Sequence, residues 1–480
     1  MKKLSIRFLA LFLAVLIVLS GCTAAPADGT TQPADATAEK EINQTEAIPE
    51  ETTAPQDADN ELWVVWGKDT RSGWPSIREL ELMTEEFAVE HPNVSLRLET
   101  IPTDEEALQH LRVQIIAGDG PDVILMPRNA ELISDPYQSM QNGLFTDISE
   151  YYDADTTFSK EDLNETIMEA GVINGKRYIL PFYYDMPIAY IDVAQFEDQG
   201  GSMEWFDDGV MNLHSEKLDA GICLTNPSQN MHGFNFLPEI FDYENQEVLI
   251  TQEDIAQFLR TIQEIRATEL ADPSELPYPT FLRIPTMDSI MSVRKTWRDY
   301  VSMYIGMMPE SVTNAGFAKL SGIEIASIPV AAADGDLVAD VSFYGAVLHG
   351  CDQLELAYEL LRSVLLGDVM CSPLSFLSPG WSVYQAGSVD RLATGGNAIY
   401  TFNEIKRFYK SDALPEVTEA DITFLNAKID RVHFYTSLES DLSDIMAALN
   451  DPTTGAPTDV DIDAVAADFI EELEWHLYEG

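Results

Sequence analysis

Several short stretches of the chain set aromatic rings beside planar polar groups. Trp66 is followed by Gly67, Lys68 and Asp69, and then by Trp74. Arg128 and Asn129 close an apolar run, Tyr183, Tyr184 and Asp185 are contiguous, and Tyr344 lies in Phe343-Tyr344-Gly345. Trp381 and Tyr384 sit on a loop rich in Pro and Gly. Rings of this kind cover the apolar C–H faces of a polyhydroxylated solute, while guanidinium, amide and carboxylate groups bond its hydroxyls. Each ring also suits ordinary packing, and Trp66 reads equally well as the last buried residue of a strand. For Tyr184 the alternatives separate: a ring facing a cleft gives, on truncation to alanine, a loss of roughly 1–3 kcal/mol in binding and little change in the empty protein. A core ring gives the reverse.

Catalytic patterns are missing. The chain contains no H-E-x-x-H, G-x-S-x-G, G-x-x-x-x-G-K-[ST] or C-x-x-C. Among 81 acidic residues, a carboxylate pair at glycosidase spacing arises by chance and carries no weight. Asp153-Ala154-Asp155 begins like a calcium loop, but Phe158 stands where the turn needs Gly and Asn164 where a bidentate acid must close it. The Asp459, Asp461, Asp463 run lacks a closing Glu and reads as a solvated helix start. A binding protein without metal or cofactor, and not an enzyme, is the expectation.

The N-terminus fixes the compartment expected. Lys2, Lys3 and Arg7 precede an apolar stretch from Phe8 to Leu19, and Leu19-Ser20-Gly21-Cys22 follows. A stretch this short suits an export signal rather than a spanning helix, which needs about 20 apolar residues. It resembles the bacterial lipoprotein signal, which implies cleavage after residue 21, a diacylglyceryl group on Cys22 and durable two-chain anchoring at the outer face of the cell membrane. Residues 22–60 are rich in Thr, Ala, Pro, Glu and Asp. They cannot bury enough apolar surface to offset chain entropy, and are expected to form a disordered tether. Of the four cysteines, acylation of Cys22 would leave Cys223, Cys351 and Cys371, enough for at most one disulfide.

The elements that must position the rings begin at residue 61. Leu62 to Trp66 reads as a strand; Ser76-Ile77-Arg78-Glu79 reads as a capping box opening a helix with Ile77, Leu80, Met83 and Phe87 on one face. His91-Pro92 stops it, and Val94, Leu96 and Leu98 alternate as a half-buried strand. Thr103 and Glu106 open a second helix that Gly118 closes, and Val123 to Met126 forms a third strand. Strands alternating with helices imply a parallel sheet with right-handed crossovers. Some 420 residues (about) remain after the tether, too long for one ordinary core, so two lobes are expected.

Several segments in order carry a family resemblance. They are Phe87 with His91-Pro92-Asn93-Val94, Ala117-Gly118-Asp119-Gly120-Pro121-Asp122-Val123, Gly143-Leu144-Phe145-Thr146-Asp147-Ile148, and Asn174-Gly175-Lys176-Arg177-Tyr178-Ile179-Leu180-Pro181. Ile325 to Pro329 and Leu356-Ala357-Tyr358-Glu359-Leu360-Leu361 follow. The chain thus resembles family 1 extracellular solute-binding proteins of ABC importers, the relatives of maltose-binding protein. That resemblance implies an α/β, periplasmic-binding-protein-like fold of two lobes, with crossing hinge strands, a C-terminal helical region and the solute between the lobes. Lobe one is expected at 61–184 with 342–372, and lobe two at 185–341 with 373–480. Ligands of open parallel sheets sit beyond the carboxyl ends of the strands, which points to Trp66, Lys68, Trp74, Arg128, Tyr183, Tyr184, Asp185, Tyr344 and Trp381 as the solute-binding set. The chain departs from the family with Tyr190-Ile191-Asp192 after the first crossover, Met203-Glu204-Trp205-Phe206 after Gly201, and Phe343-Tyr344-Gly345 near the second crossover.

A net charge of −53 excludes nucleic acid and anionic lipid as partners, since both are held through Lys/Arg contacts to phosphate. A neutral solute, a sugar or oligosaccharide, delivered to ABC permease subunits is the function expected. A ligand sensor for a membrane receptor and a secreted carbohydrate-active enzyme are the alternatives; neighbouring genes separate the first, and turnover the second.

Overall fold

The computed structural model describes residues 60–67, 77–127, 132–133, 135–198, 201–206, 211–212, 224–225, 240–268, 303–307, 324–331, 337–367, 381–384, 432–434 and 460–479. The signal, the tether, Cys22, Cys223, Cys371, Lys68, Trp74, Ser76, Arg128 and Asn129 lie outside these residues. The described residues fall in one compact unit, Gln56–Gly480.

Strand β1 (Glu61–Trp66) pairs in parallel with β2 (Ser95–Thr100) on one side and β3 (Val123–Pro127) on the other. Between β1 and β2 run α1 (Ile77–Met83) and α2 (Glu85–Glu90). The sequence reads there as one helix, but it breaks at Thr84, whose buried Oγ1 donates to Leu80 O at 2.9 Å. Such back-bonding competes with the helix ladder. Between β2 and β3 runs α3 (Glu105–Ala117). Its cap is Asp104 rather than Thr103: the Asp104 carboxylate accepts from Ala107 N at 3.1 Å, and Gly118 ends the helix in the left-handed region at φ 78°. Leu80, Met83 and Phe87 pack on one face of the sheet with Leu62 and Val64; Leu108, Leu111 and Ile115 pack on the other with Val65 and Ile124. Helices on both faces are what two successive right-handed crossovers require.

After β3 come α4 (Pro136–Gln141), α5 (Ser149–Ala154) and α6 (Glu165–Glu169). A hairpin of β4 (Val172–Ile173) and β5 (Lys176–Arg177) turns through Asn174 and Gly175, both with positive φ, as an Asn-Gly turn demands. Then β6 (Ile179–Asp185) and β7 (Pro187–Asp192) are separated by Met186 alone, yet belong to different parts of the sheet. After α7 (Val193–Asp198) come the short strands β8 (Met211–Asn212), β9 (Leu224–Thr225), β10 (Phe241–Asp242) and β11 (Glu247–Val248), followed by α8 (Gln252–Thr268). Strand β12 (Met303–Met307) lies antiparallel to β7 and parallel to β9; β13 (Ile325–Ala331) lies antiparallel to β7 on its other side.

Strand β14 (Leu337–Val347) runs from one part of the sheet into the other. Its start meets β13 at Ala331 and pairs with β16 (Val432–Phe434), its middle pairs with β6, and its end pairs antiparallel to β3. Among the described residues the chain passes directly between the β2-β1-β3-β14-β6 portion and the β13-β7-β12-β9 portion at β6–β7 and at β13–β14, and later goes from β15, beside β6, to β16, beside the start of β14. Helix α9 (Leu354–Leu366) covers the first portion, burying Ala357, Leu360, Leu361 and Val364 at helical spacing; β15 (Trp381–Ser382) pairs with β6, and α10 (Ile462–Glu479) packs on α8.

Candidate functional site

The two passages meet in one register. Antiparallel pairing of β6 with β14 sets Asp185 opposite Asp340, Tyr184 opposite Val341 and Tyr183 opposite Phe343, with a bulge in β14 between Val341 and Phe343. On its other edge β6 receives β15, with Trp381 opposite Tyr184 and Ser382 opposite Tyr183. Tyr183, Tyr184, Asp185 and the Trp381 backbone are thus assembled by neighbouring strands. Asp340, Ser342 and Ser382, none of them singled out from sequence, join them as buried polar residues. Asp340, Ser342 and Tyr344 alternate in sequence, but register shifts between Val341 and Phe343 and between Phe343 and Tyr344 break the two-residue period, so alternation gives no single face to read.

Every member of this group that can be described is buried, Tyr184 at 5% exposure and Asp185 at 2%. Burial holds the Tyr184 hydroxyl well above its ordinary pKa, an effect opposed by a hydrogen bond with Asn164. Asn164 is itself fixed: its Oδ1 accepts from Ile167 N at 3.3 Å as the cap of α6, and its N–H donates to Val383 O at 2.9 Å. Nothing in the sequence separates that asparagine from any other helix cap. Asp185 Oδ1 accepts from Met186 N at 2.9 Å, which bends the carboxylate back over the single residue that joins the two strands.

The other residues named from sequence are placed differently. Trp66 ends β1 at 3% exposure in the same core cluster as Tyr183 and Tyr184, as the last buried residue of its strand. Tyr344 faces the opposite cluster with Met126 and Phe145; its hydroxyl is held far above its ordinary pKa by burial and by the Asp135 charge. Lys68, Trp74 and Arg128 are outside the described residues, and of Trp381 the backbone alone is described. Asp155, in the rejected calcium loop, takes bonds from Thr157 N at 2.8 Å, Thr157 Oγ1 at 2.6 Å and Tyr358 Oη at 2.9 Å, and faces Arg362 at 3.5 Å. Among the described residues no group of three or more His, Cys, Asp or Glu is placed to hold a metal.

The fold that holds this group is also found in known proteins. Residues 74–208 match the model of the bacterial extracellular solute-binding protein family. That segment, rather more than a quarter of the chain, is similar to the solute-binding protein family. Solved structures match over nearly their whole length. The sugar-binding protein MalE of Xanthomonas citri superposes with a TM-score of 0.55 at 10% identity, covering 87% of this chain and 97% of that one. A periplasmic oligogalacturonide-binding protein of Yersinia enterocolitica gives 0.53 at 15% identity, covering 87% and 98%. A family 1 extracellular solute-binding protein of Alicyclobacillus acidocaldarius gives 0.51 at 12% identity, covering 87% and 98%. No curated protein sequence matches the chain. At these identities the structures speak to fold: it is the two-lobe fold of periplasmic binding proteins. The family and these neighbours are binding proteins.

Proposed function

We propose that this chain is a lipid-anchored, extracellular solute-binding protein that captures a neutral sugar or oligosaccharide between two lobes and delivers it to an ABC permease. The observation that carries the reading is the position of Tyr183, Tyr184 and Asp185. They end β6 one residue before the chain crosses to the second portion of the sheet, with Asp340 opposite on the returning strand. Residues at such crossings move least when lobes hinge, and they lie where a solute would be enclosed. The match of residues 74–208 supports the same reading, as does the sugar named for the Xanthomonas relative; the Yersinia relative is named for an oligogalacturonide, an acidic saccharide, and supports the saccharide class without the neutral charge. Lys68, Trp74, Arg128 and Trp381 complete the set proposed from sequence, and Cys22 the anchor.

A thermal-shift screen of the purified protein against neutral mono- and oligosaccharides, amino acids and polyamines tests this. A ligand at 100 times its dissociation constant adds about 2.7 kcal/mol of stability. Stabilisation by a saccharide and by none of the amines is the expected result. A shift with an amino acid or polyamine alone would replace the ligand class, and sugar turnover would replace the function.

A further inference from the structure

A second connection, made by side chains, joins segments far apart in the sequence within the core cluster that also holds Val341 and Tyr344 of β14. Asp135, immediately before α4, has a side chain 1% exposed and bonded at both oxygens. Its Oδ1 accepts from Tyr137 N at 2.8 Å and Gln138 N at 3.0 Å, capping α4. Its Oδ2 accepts from Tyr243 Oη at 2.6 Å and bonds to His476 Nε2 at 2.9 Å. Tyr243 follows β10, and His476 lies in the last turn of α10, so one carboxylate gathers three distant segments.

The same three segments are tied in other ways. Gln138 Nε2 donates to His476 O at 2.9 Å, Gln141 Nε2 donates to Tyr243 O, and Asn174 N donates to Glu244 Oε1 at 2.6 Å. Tyr137 stacks on Tyr243 at 5.8 Å, and Phe241 stacks on His476 at 5.7 Å. On one side stand α4 and the β4–β5 hairpin, which the chain threads between β3 and β6. On the other stand β10–β11, α8 and α10, of which α8 leads toward β12. The polar bonds between them are specific in geometry. Donors to a buried carboxylate are stronger than neutral pairs and lose their partner together if the surfaces part.

We infer that Asp135, Tyr243 and His476 form a latch between the two lobes, holding them in the arrangement seen here in addition to the strand crossings. The inference rests on the two-lobe reading given above. If the lobes hinge, this contact has to break or slide. Its strength then sets the population of the latched arrangement, and with it the fraction of protein poised for solute.

The test uses the full chain without solute, so it stands or falls apart from the ligand screen. The double variant Tyr243→Phe/His476→Phe keeps both rings and the cap of α4, and removes both donors to Oδ2. Hydrogen exchange is expected to rise about tenfold together at residues 137–142, 240–248 and 470–477, while β1, β3, β7 and β13 keep wild-type protection. The small-angle scattering curve is expected to shift with it. Exchange that rises equally in every strand would make the contact an ordinary part of the fold and overturn the latch. A rise confined to α10, or scattering identical to wild type, would overturn it as well. Tyr243→Phe alone, the mildest change, should give a smaller shift in the same segments if the double variant proves too unstable to purify.

Discussion

Tyr184, proposed as a site residue, is also held by the fold. Its ring is buried in the core cluster that also holds Tyr183 and Trp66, and its hydroxyl meets Asn164. Truncation to alanine is therefore expected to lower the stability of the empty protein by about 3–5 kcal/mol, the usual cost of deleting a buried aromatic ring. Affinity is better probed by Tyr184→Phe, which keeps the ring and costs about 1–3 kcal/mol by leaving Asn164 without that bond. Calorimetric unfolding of both variants checks this; an alanine variant as stable as wild type would return the ring to an open cleft. Asp155 gives a pH test. Burial alone would raise its pKa, but bonds from the Thr157 side chain and backbone and from Tyr358, with the Arg362 charge, outweigh it and hold the value below the ordinary 3.8. A carboxyl depressed in the folded state contributes stability that is complete above 3.8 and is lost as pH falls through its lower, folded value. Asp155→Asn should therefore be less stable than wild type at neutral pH, with the difference narrowing below pH 3.8, measured by denaturant unfolding across pH.

At the scale of elements, caps and close approaches decide what the strands and helices can do. Asp104→Ala should cost about 1 kcal/mol through loss of the α3 cap, and Thr103→Ala nearly nothing, by denaturant titration. Gly345, in the middle of β14, has no room for a side chain. A Cβ there would stand 2.5 Å from Leu361 and 2.7 Å from Phe182, between the sheet and α9. Gly345→Ala is expected to lower stability by about 1–3 kcal/mol by forcing α9 outward; an unchanged melting temperature would mean that the helix yields freely. The alternation of β1, α1, β2, α3 and β3 was legible in the sequence because its signals are local: apolar period, Pro stop, Gly cap. The break at Thr84 was not, because a back-bond from a threonine to its own helix leaves the apolar spacing of Leu80, Met83 and Phe87 intact. Nor was the opposition of Asp185 and Asp340, which depends on a register between strands separated by more than a hundred residues. Tyr183-Tyr184-Asp185 could be named from its place before a crossover. The polar residues that β14 and β15 bring to it could not, since no local pattern says which strand will lie alongside.

At the scale of the whole molecule, the proposed anchor and the net charge each make a prediction. Acylation at Cys22 predicts that the protein partitions with membranes and that Cys22→Ala releases or misprocesses it. Mass spectrometry finding an unmodified N-terminus elsewhere would remove the anchor. Loss of the signal peptide would remove three basic residues and make the −53 chain more negative still. Such a field concentrates cations and opposes anions over a range set by salt, about 10 Å at 0.1 M. For a neutral oligosaccharide the field does no work, so its dissociation constant should be the same at low and high ionic strength. An acidic oligosaccharide meets two opposed effects. The net field repels it, and salt that screens the field should tighten binding. Direct pairing with Lys68 or Arg128 would attract it, and the same salt should weaken binding. Isothermal titration of one neutral and one uronate-containing oligosaccharide at two salt concentrations separates these. Tightening of the acidic ligand, with the neutral one unmoved, would mean that the field of the whole chain governs its selectivity. Weakening would mean that two cations in the site outweigh all the acids outside it, and would overturn the expectation of a neutral solute.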